Sequence, residues 1–268
     1  MQIEVIIEKK SHKLDAEEGK TILETLQEHG IHVLTAPCGG RGRCGKCTVE
    51  VEHMGEVLAC MTKVTDGMRI TIPKVQLRAQ KSKIAENGTV THYPADDGEG
   101  LDAACDIGTT TVVCHLIDGK TGEKLATVSE PSAQRSFGAD VLSRIQAAEA
   151  GKLEILKEQI IFQIAQMLRT LQKKTGRGEQ IQRLAVVGNT VMCHLFAGIS
   201  PVSIGVTPFM PQEFFGKEYT GEQLGLTDCR SVYIAPAVAG FVGGDITSDL
   251  LAVMHKKQED KVLLLDIG

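Results

Sequence analysis

Four cysteines in a glycine-rich loop constrain the fold of this chain more than any other feature of its sequence. They are Cys38, Cys44, Cys47 and Cys60, with the spacing C-x5-C-x2-C-x12-C. Glycine adopts backbone conformations that other residues avoid, and glycines occupy positions 39, 40, 42 and 45 of this loop. We therefore predict a loop that wraps closely around the thiols and directs backbone N–H groups toward a negatively charged centre.

The residue type and the spacing indicate a metal centre. Thiolates are soft ligands that suit iron–sulfur clusters and zinc, and either centre needs four of them. The first gap is one residue longer than in the plant-type 2Fe-2S pattern, whereas zinc sites usually contain two spaced cysteine pairs and this loop has one C-x2-C pair. We predict that the four cysteines hold a 2Fe-2S cluster; a zinc site and disulfides are the alternatives.

The same loop contains three cationic residues, Arg41, Arg43 and Lys46. They form either a solvated rim or a docking surface for an acidic partner that also eases reduction of the cluster. Over the whole chain, 29 Lys and Arg stand against 34 Asp and Glu, for a net charge of -5. This balance gives no reason to expect nucleic acid or a membrane surface as a partner.

The N-terminus lacks the basic and apolar regions of a secretory signal, and no run of 18 apolar residues occurs. We therefore expect a cytoplasmic protein without a membrane span. The other cysteines lie in apolar or strand-like contexts at no ligand spacing, at Cys105, Cys114, Cys193 and Cys229. We expect these to be buried free thiols.

With 268 residues and 42% hydrophobic content, the chain is long enough for two domains with their own cores. Residues 3–8, 47–51 and 68–72 favour strands, and residues 21–30 favour a helix. This order predicts a small β-grasp domain over residues 1–75, with the cysteine loop at one edge. The polar residues 76–100 predict a linker.

Residues 101–268 predict a second domain, which opens with a strand that turns at Gly108 into another strand. Further strands are predicted over residues 183–187 and 262–266, and helices over residues 137–150, 152–174, 191–197 and 245–254. The helix at 152–174 has apolar residues at steps of three and four, which predicts a buried face. Asn189 is placed to cap the helix at 191–197.

The sequence Asp-Ile-Gly occurs twice at a strand end, at residues 106–108 and 266–268. Such a repeat places two carboxylates and two glycine turns across a cleft, where backbone N–H groups bind phosphate and carboxylates hold magnesium through water. The alternative is an ordinary strand-to-turn sequence. Because the second copy stands at the chain end, we expect an incomplete domain. The glycine-rich turn before Asp245 either binds an anion or is capped by Asp245.

Together with residues 134–141, 187–190 and 238–245, these motifs resemble the reductive activators of corrinoid proteins. This family carries a ferredoxin-like domain before an ATPase domain of the superfamily of acetate and sugar kinases, heat-shock proteins and actin. The resemblance covers nearly the whole chain and implies an α+β fold, with an N-terminal β-grasp ferredoxin-like domain and the N-terminal part of an RNase H-like α/β ATPase domain. Family members are generally much longer, so we expect this chain to bind ATP weakly and to lack ATPase activity.

The resemblance also implies a function, in which ATP drives one electron from the 2Fe-2S cluster to the Co(II) of a corrinoid protein to give Co(I). The implied partners are a corrinoid protein, either a methyltransferase or a corrinoid iron–sulfur protein, and an upstream electron donor; a homodimer stays open. The alternative is an electron carrier whose second domain only docks a partner. A small-molecule kinase is a third interpretation.

Site roles follow from the same resemblance. Asp106 organises magnesium, and Asp245 positions the attacking water. Phosphate is held by Gly108, Thr109 and Thr110, with Asp266 and Gly268 facing them from the other half. The cofactors of the full-length protein are therefore expected to be the 2Fe-2S cluster, ATP and magnesium.

Overall fold

The computed structural model of the protein describes residues 1–73, 98–254 and 263–265. The chain divides into two compact units, the first formed by Met1–Lys83 with Ala133–Ala147 and the second by Ile84–Ser132 with Ala148–Gly268. Each unit has its own sheet and helices, so the α+β fold class is confirmed. The predicted linker lies almost wholly outside the described residues, and the predicted domain bounds stay a prediction.

The first unit has a five-stranded sheet with the strand order β2-β1-β5-β3-β4. Its strands are β1 (Gln2–Ile7), β2 (Lys10–Asp15), β3 (Thr48–Val51), β4 (Gly55–Leu58) and β5 (Arg69–Thr71). Strand β1 is antiparallel to β2 and parallel to β5, and β5 is antiparallel to β3. This mixed sheet and its helix form the predicted β-grasp fold.

Helix α1 (Ile22–Glu28) begins at a capping box. The Thr21 side chain accepts a hydrogen bond from the Glu24 N–H, and the Glu24 carboxylate accepts one from the Thr21 N–H. Ile22 is fully buried and belongs to the same apolar cluster as Ile70 of β5. The helix therefore covers the sheet through its apolar face.

The sequence assigns no residue range to two strands of this sheet. Strand β2 is polar along most of its length, and only Leu14 is buried. Strand β4 has four residues and no buried position. Hydrophobic alternation marks a strand only where one of its faces covers a core, so both strands lack the pattern that would reveal them.

A segment from the middle of the sequence, Ala133–Ala147, belongs to the first unit. It contains a 3-10 turn (Ala133–Phe137) and helix α2 (Val141–Ala147). The sequence instead predicts one helix over residues 137–150, within the second domain. The helix is interrupted because Gly138 has a φ of 148°, and Asp140 restarts it by accepting a hydrogen bond of 2.8 Å from the Ser143 N–H.

The second unit has a six-stranded sheet with the strand order β10-β11-β9-β6-β7-β8. Its strands are β6 (Leu101–Ile107), β7 (Thr111–Asp118), β8 (Lys124–Pro131), β9 (Ile181–Val187), β10 (Lys217–Thr220) and β11 (Cys229–Ile234). Strands β6, β7 and β8 form an antiparallel meander, and β9 and β11 continue the sheet parallel to β6. An antiparallel meander extended by parallel strands is the RNase H-like arrangement that was predicted.

The helices of the second unit are α3 (Leu153–Thr175), α4 (Thr190–Ala197), α5 (Gly221–Leu224) and α6 (Gly244–Met254). The predicted buried face of α3 is confirmed, since Leu156, Ile160, Ile164, Met167 and Leu171 are fully buried. Leu153, at the first position of the helix, is half-buried. Helix α3 ends at a glycine with a φ of 69°, which accommodates the left-handed turn at the helix end.

The cysteines outside the loop follow the prediction only in part. Cys193 and Cys229 are buried free thiols, as expected. Cys105 and Cys114 form a disulfide, so the prediction of free thiols was wrong for these two. They are register partners on the antiparallel strands β6 and β7, with their Cα atoms 4.3 Å apart, a proximity that the sequence spacing does not reveal.

Among the described residues, no helix combines the length and the apolar character needed to cross a bilayer. The cytoplasmic location stays a prediction. Of the strand predicted over residues 262–266, the structure describes only residues 263–265, which have no regular secondary structure. Asp266 and Gly268 lie outside the described residues.

Candidate functional site

Cys38, Cys44 and Cys47 lie in the loop between α1 and strand β3, and Cys60 follows strand β4. The four thiols differ in exposure. Cys47 and Cys60 are buried, whereas Cys38 and Cys44 are half-buried. The Cys44 Sγ donates a hydrogen bond of 3.3 Å to the Cys38 Sγ. The Cys47 thiol is hydrogen-bonded to the Cys60 thiol. The loop therefore presents an outer and an inner pair of thiols.

The loop glycines have the left-handed backbone that their residue type favours. Residues 39, 40, 42 and 45 have φ values between 64° and 81°. At Gly42 a Cβ would stand 2.8 Å from the Met61 Sδ, and at Gly40 it would stand 3.8 Å from the Cys60 Cβ. The close wrapping that the glycines predict is therefore present, and larger residues would strain the backbone or push the loop outward.

Backbone N–H groups point at the thiols. Burial alone would raise the pKa of the Cys38 thiol, but hydrogen bonds from Cys44 and from the backbone N–H groups of Arg43 and Arg41 outweigh it and lower that pKa to about 6. The pKa of Cys60 is raised to about 12 by burial and then by the neighbouring Cys47, although the Gly42 N–H opposes the shift. Cys38 is therefore stabilised as a thiolate, whereas negative charge on the neighbouring thiols opposes ionisation of Cys60.

This donor set fits a group that carries positive metal charge. Directed N–H groups stabilise anionic sulfur. Burial is the main cause of the raised Cys60 pKa, and the repulsion from Cys47 that adds to it is relieved when thiolates bind a cation. Within the described ranges, no group of three or more His, Cys, Asp or Glu side chains has the geometry to hold a single metal ion. The ligand set Cys38, Cys44, Cys47 and Cys60 stays a prediction.

The 133–147 segment lies against one side of the loop. The Ala139 N–H donates a hydrogen bond of 3.2 Å to the Pro37 carbonyl oxygen. A Cβ on Gly39 would stand 3.4 Å from the Phe137 carbonyl oxygen and 3.6 Å from the Ser143 Cβ. The start of the loop is thus held by a segment that comes from the middle of the chain.

A second group of predicted residues meets at the carboxyl ends of β6 and β9 in the second unit. Asp106 is exposed near the end of β6, and Thr109 and Thr110 follow it in the turn. The Gly108 position has no room for a side chain, because a Cβ there would stand 2.5 Å from the Thr111 carbonyl oxygen. The Thr109 Oγ1 accepts a hydrogen bond of 3.0 Å from the Asn189 Nδ2.

Asp245 lies near the same strand ends. It is the second residue of α6, and its N–H donates to the Gly188 carbonyl oxygen at 3.2 Å. Its carboxylate accepts a hydrogen bond of 2.8 Å from the adjacent Ile246 N–H. Burial raises the pKa of the Cys193 thiol, and the charges of Asp245 and Asp106 raise it further. The two carboxylates therefore converge on one neighbourhood.

Asn189 makes two side-chain hydrogen bonds, of which the sequence predicts one. Its Oδ1 accepts a hydrogen bond of 3.0 Å from the Met192 N–H, which confirms the predicted helix cap. Its Nδ2 also holds Thr109, which the sequence did not indicate. Gly243 lies in the predicted glycine-rich turn before Asp245, and a Cβ there would stand 2.5 Å from the Thr190 nitrogen, so this turn packs closely against the start of α4.

A β-grasp sheet with a four-cysteine loop, in one chain with an RNase H-like sheet, defines a class of two-part iron–sulfur protein. Residues 4–74 match the family model of the 2Fe-2S iron-sulfur cluster binding domain. Residues 101–258 match the family model of the RACo middle region. The chain belongs to the RACo family, the reductive activators of corrinoid proteins.

Two individual proteins are similar to this chain. The corrinoid activation enzyme RamQ of Eubacterium limosum is 26% identical over 314 residues, which cover 88% of this chain and 53% of that protein. A solved structure of a reductive activator for corrinoid, iron-sulfur protein matches with a TM-score of 0.56 and 24% identity, and covers 94% of this chain and 57% of the other. The chain thus spans about half the length of the relatives it matches.

Proposed function

We propose that the full-length protein uses ATP to drive one electron from its 2Fe-2S cluster to the Co(II) of a corrinoid protein, which becomes Co(I). The observation that carries this proposal is the presence, in one chain, of a four-thiol loop and of two carboxylates near the ends of parallel strands. The relatives support the corrinoid protein as the partner, since one is a corrinoid activation enzyme and another is a reductive activator for a corrinoid, iron-sulfur protein.

In this proposal the four loop cysteines are the ligands of the cluster. A bound 2Fe-2S cluster supplies one electron at a time. The N–H groups of Arg41, Gly42 and Arg43 stabilise thiolate charge, as the pKa values of Cys38 and Cys60 indicate. The buried inner pair, Cys47 and Cys60, anchors the site to the core of the sheet.

Asp106 and Asp245 have separate roles in the proposed nucleotide site. Asp106 holds magnesium through water, and Asp245 positions the water that attacks the terminal phosphate. Phosphate oxygens accept hydrogen bonds from the turn formed by Gly108, Thr109 and Thr110. We assign Asp266 and Gly268, the second Asp-Ile-Gly copy, to the opposite side of the same cleft. Water takes the phosphoryl group, so ATP gives ADP and phosphate and no substrate is phosphorylated.

In this proposal, ATP must offset the unfavourable free energy of moving an electron from the cluster to Co(II). A one-electron gap of about 200 mV corresponds to roughly 4.6 kcal/mol. A ligand that binds one of two states more tightly by about 5.5 kcal/mol moves their ratio from 1:99 to 99:1. ATP therefore needs only to favour, by a comparable amount, the conformation in which the corrinoid protein is docked and accepts the electron.

The proposal is tested by the build-up of Co(I) absorbance. Full-length protein with a chemically reduced cluster is mixed with a Co(II) corrinoid protein, with and without Mg-ATP. Co(I) is expected to accumulate with ATP and to stay low without it. Asp106→Ala should remove the ATP-dependent part and leave the cluster spectrum unchanged.

The second candidate is an electron carrier whose other unit only docks a partner. The half-buried outer thiols Cys38 and Cys44 favour it, because they leave the cluster site accessible for direct exchange. The same experiment separates the two functions. An equal Co(I) yield with and without ATP would refute the role of ATP and leave the electron carrier.

A further inference from the structure

The cysteine loop carries three exposed cations. Arg41, Arg43 and Lys46 are exposed, and the loop between Cys38 and Cys47 contains no Asp or Glu. We call these three residues the cationic flank. The chain as a whole has a net charge of -5, whereas this stretch of the loop is positively charged. A local charge of this kind acts on whatever approaches the outer thiols.

The guanidinium groups of the flank are not used to hold the loop. Arg41 and Arg43 stabilise Cys38 through their backbone N–H groups, which any residue other than proline would supply. Elsewhere in the unit, Lys20 pairs with Glu17 and Glu28 at 2.6 and 2.8 Å. Neither Arg41 nor Arg43 forms such a pair with a described carboxylate. Their charges are therefore available to a partner.

The geometry of the loop leaves this flank accessible. The 133–147 segment contacts the start of the loop, at Pro37 and Gly39. Beside the flank, Met61 lies against Gly42 and has 62% of its surface exposed. Exposed cations of the loop and an exposed apolar side chain beside Gly42 thus accompany the half-buried thiols, at a surface where an electron can enter.

We propose that the cationic flank docks an acidic one-electron carrier protein that reduces the cluster; this rests on the proposed electron-transfer function. Encounters between redox proteins bury less than about 1,200 Å² and depend on charge steering more than on extensive packing. Three exposed loop cations with an exposed methionine beside the loop suit such a brief encounter. The corrinoid acceptor must be held in one ATP-favoured conformation, which requires a larger interface. One electron leaves the carrier and one enters the oxidised cluster.

The test uses an acidic flavodoxin, whose flavin hydroquinone becomes the semiquinone when it gives up one electron. Its reaction with the oxidised full-length protein is followed by stopped-flow absorbance at increasing salt. In the flank variant, Arg41→Glu, Arg43→Glu and Lys46→Glu are combined. The matched control combines Lys9→Glu, Lys10→Glu and Lys13→Glu, which make the same charge change in exposed residues at the opposite edge of the sheet.

The second-order rate constant of the unaltered protein should fall steeply with salt. The flank variant should react about tenfold more slowly at low salt and show no such fall, while the control should stay within about twofold of the unaltered protein. Binding is read separately from chemical shifts of ¹⁵N-labelled oxidised flavodoxin, which should respond to the unaltered protein and the control but not to the flank variant.

Three outcomes are decisive. Equal rates, salt dependence and shifts in the flank variant would overturn the proposal. Slower Co(II) reduction with unchanged flavodoxin kinetics would overturn it in favour of the corrinoid protein as the occupant. If dithionite reduces the cluster and flavodoxin binds, but ATP does not promote Co(I) formation, the proposed function fails while the docking surface stands. The cluster spectrum and potential of each variant show whether the substitutions changed the thiol site itself.

Discussion

The Nε2 of Gln27 donates a buried hydrogen bond of 2.9 Å to the carbonyl oxygen of Ser136, a residue 109 positions further along the chain. Gln27 lies on α1, next to the cysteine loop, and Ser136 lies in the 133–147 segment. The same segment reaches the loop itself at Pro37. By chain continuity it connects β8 to α3 of the second unit. The contacts at Gln27 and Pro37 therefore tie this mid-chain segment to the helix and loop of the first unit.

Gln27→Ala should loosen the 133–147 segment. The substitution leaves the buried Ser136 carbonyl oxygen without its donor, which costs about 1 to 3 kcal/mol. The free energy of unfolding should fall by that amount in urea titrations. Hydrogen exchange at the Ala139 N–H should accelerate, because its bond to Pro37 depends on the same segment.

Gln2→Ala is the matched control, since the Gln2 side chain is exposed on β1 of the same unit. It should change the free energy of unfolding by less than about 0.5 kcal/mol. Unchanged exchange at Ala139 in the Gln27 variant would show that the segment is held by other contacts.

Cys60→Ser should remove most of the bound iron, because a serine hydroxyl is a much poorer soft ligand than a thiolate. The unaltered protein, purified without oxygen, should contain two irons and two labile sulfides per chain, as a 2Fe-2S cluster requires. Cys193→Ser is the control, since Cys193 is buried in the second unit beside Asp106 and Asp245. Colourless protein with one zinc per chain would contradict the predicted cluster.

Gly243→Ala tests the geometry around Asp245. A Cβ at this position would stand 2.5 Å from the Thr190 nitrogen and 2.6 Å from the Asn189 Cα, and neither backbone atom can rotate away. The Asn189 turn must therefore move, and its hydrogen bond to Thr109 weakens. We expect a stability loss of about 1 to 3 kcal/mol and at least tenfold weaker Mg-ATP binding by the full-length protein in calorimetric titration.

The control for this substitution is Gly178→Ala, in an exposed connection of the second unit where a Cβ meets nothing within 4 Å. It should leave both stability and nucleotide affinity nearly unchanged. If Gly243→Ala lowers stability but not Mg-ATP affinity, the nucleotide site lies elsewhere in the protein.

Local sequence patterns predicted the parts of the fold that depend on interactions between residues close together in the chain. The three- and four-residue spacing of apolar side chains was enough to predict α3, and its buried face follows that spacing. The Asn189 cap was predicted because a capping side chain bonds to an N–H only three residues away. The cysteine spacing and its glycines predicted the loop for the same reason.

Long-range pairings were not predictable, because nothing in a local pattern encodes them. The bond between Gln27 and Ser136 joins two ordinary polar residues, so the sequence placed residues 133–147 with their neighbours in the chain. The Cys105 and Cys114 pairing depends on the register of β6 and β7. The second bond of Asn189 likewise depends on how β9 aligns with β6. Sheet register decides each of these contacts in the second unit.

His194 should make the stability of the second unit depend on pH. It is fully buried: its Nδ1–H donates to the Thr190 carbonyl oxygen at 2.7 Å, and its Nε2 accepts from the Glu213 N–H at 3.3 Å. Nε2 is therefore an acceptor, so the folded protein holds the imidazole neutral. Burial lowers the pKa of His194 below its ordinary value of 6.5, although the Thr190 carbonyl and the Glu213 charge oppose the shift.

The sign of the effect follows from the depressed pKa. Below about pH 6.5 the unfolded chain binds a proton at His194 that the folded protein excludes, so the free energy of unfolding falls as the pH decreases through this range. The slope from this one group approaches about 1.4 kcal/mol per pH unit, until the lowered pKa of the folded state is reached. Above about pH 8 the group contributes almost no pH dependence, because it is then neutral in both states.

His194→Gln should flatten this dependence between pH 6.5 and pH 5, because glutamine has a donor and an acceptor but does not titrate in this range. His53→Gln is the control, since His53 is exposed in the turn between β3 and β4. Urea unfolding at closely spaced pH values, followed by circular dichroism, measures both slopes. The same slope in both variants would mean that His194 does not cause the loss of stability in acid and that another buried group must be sought.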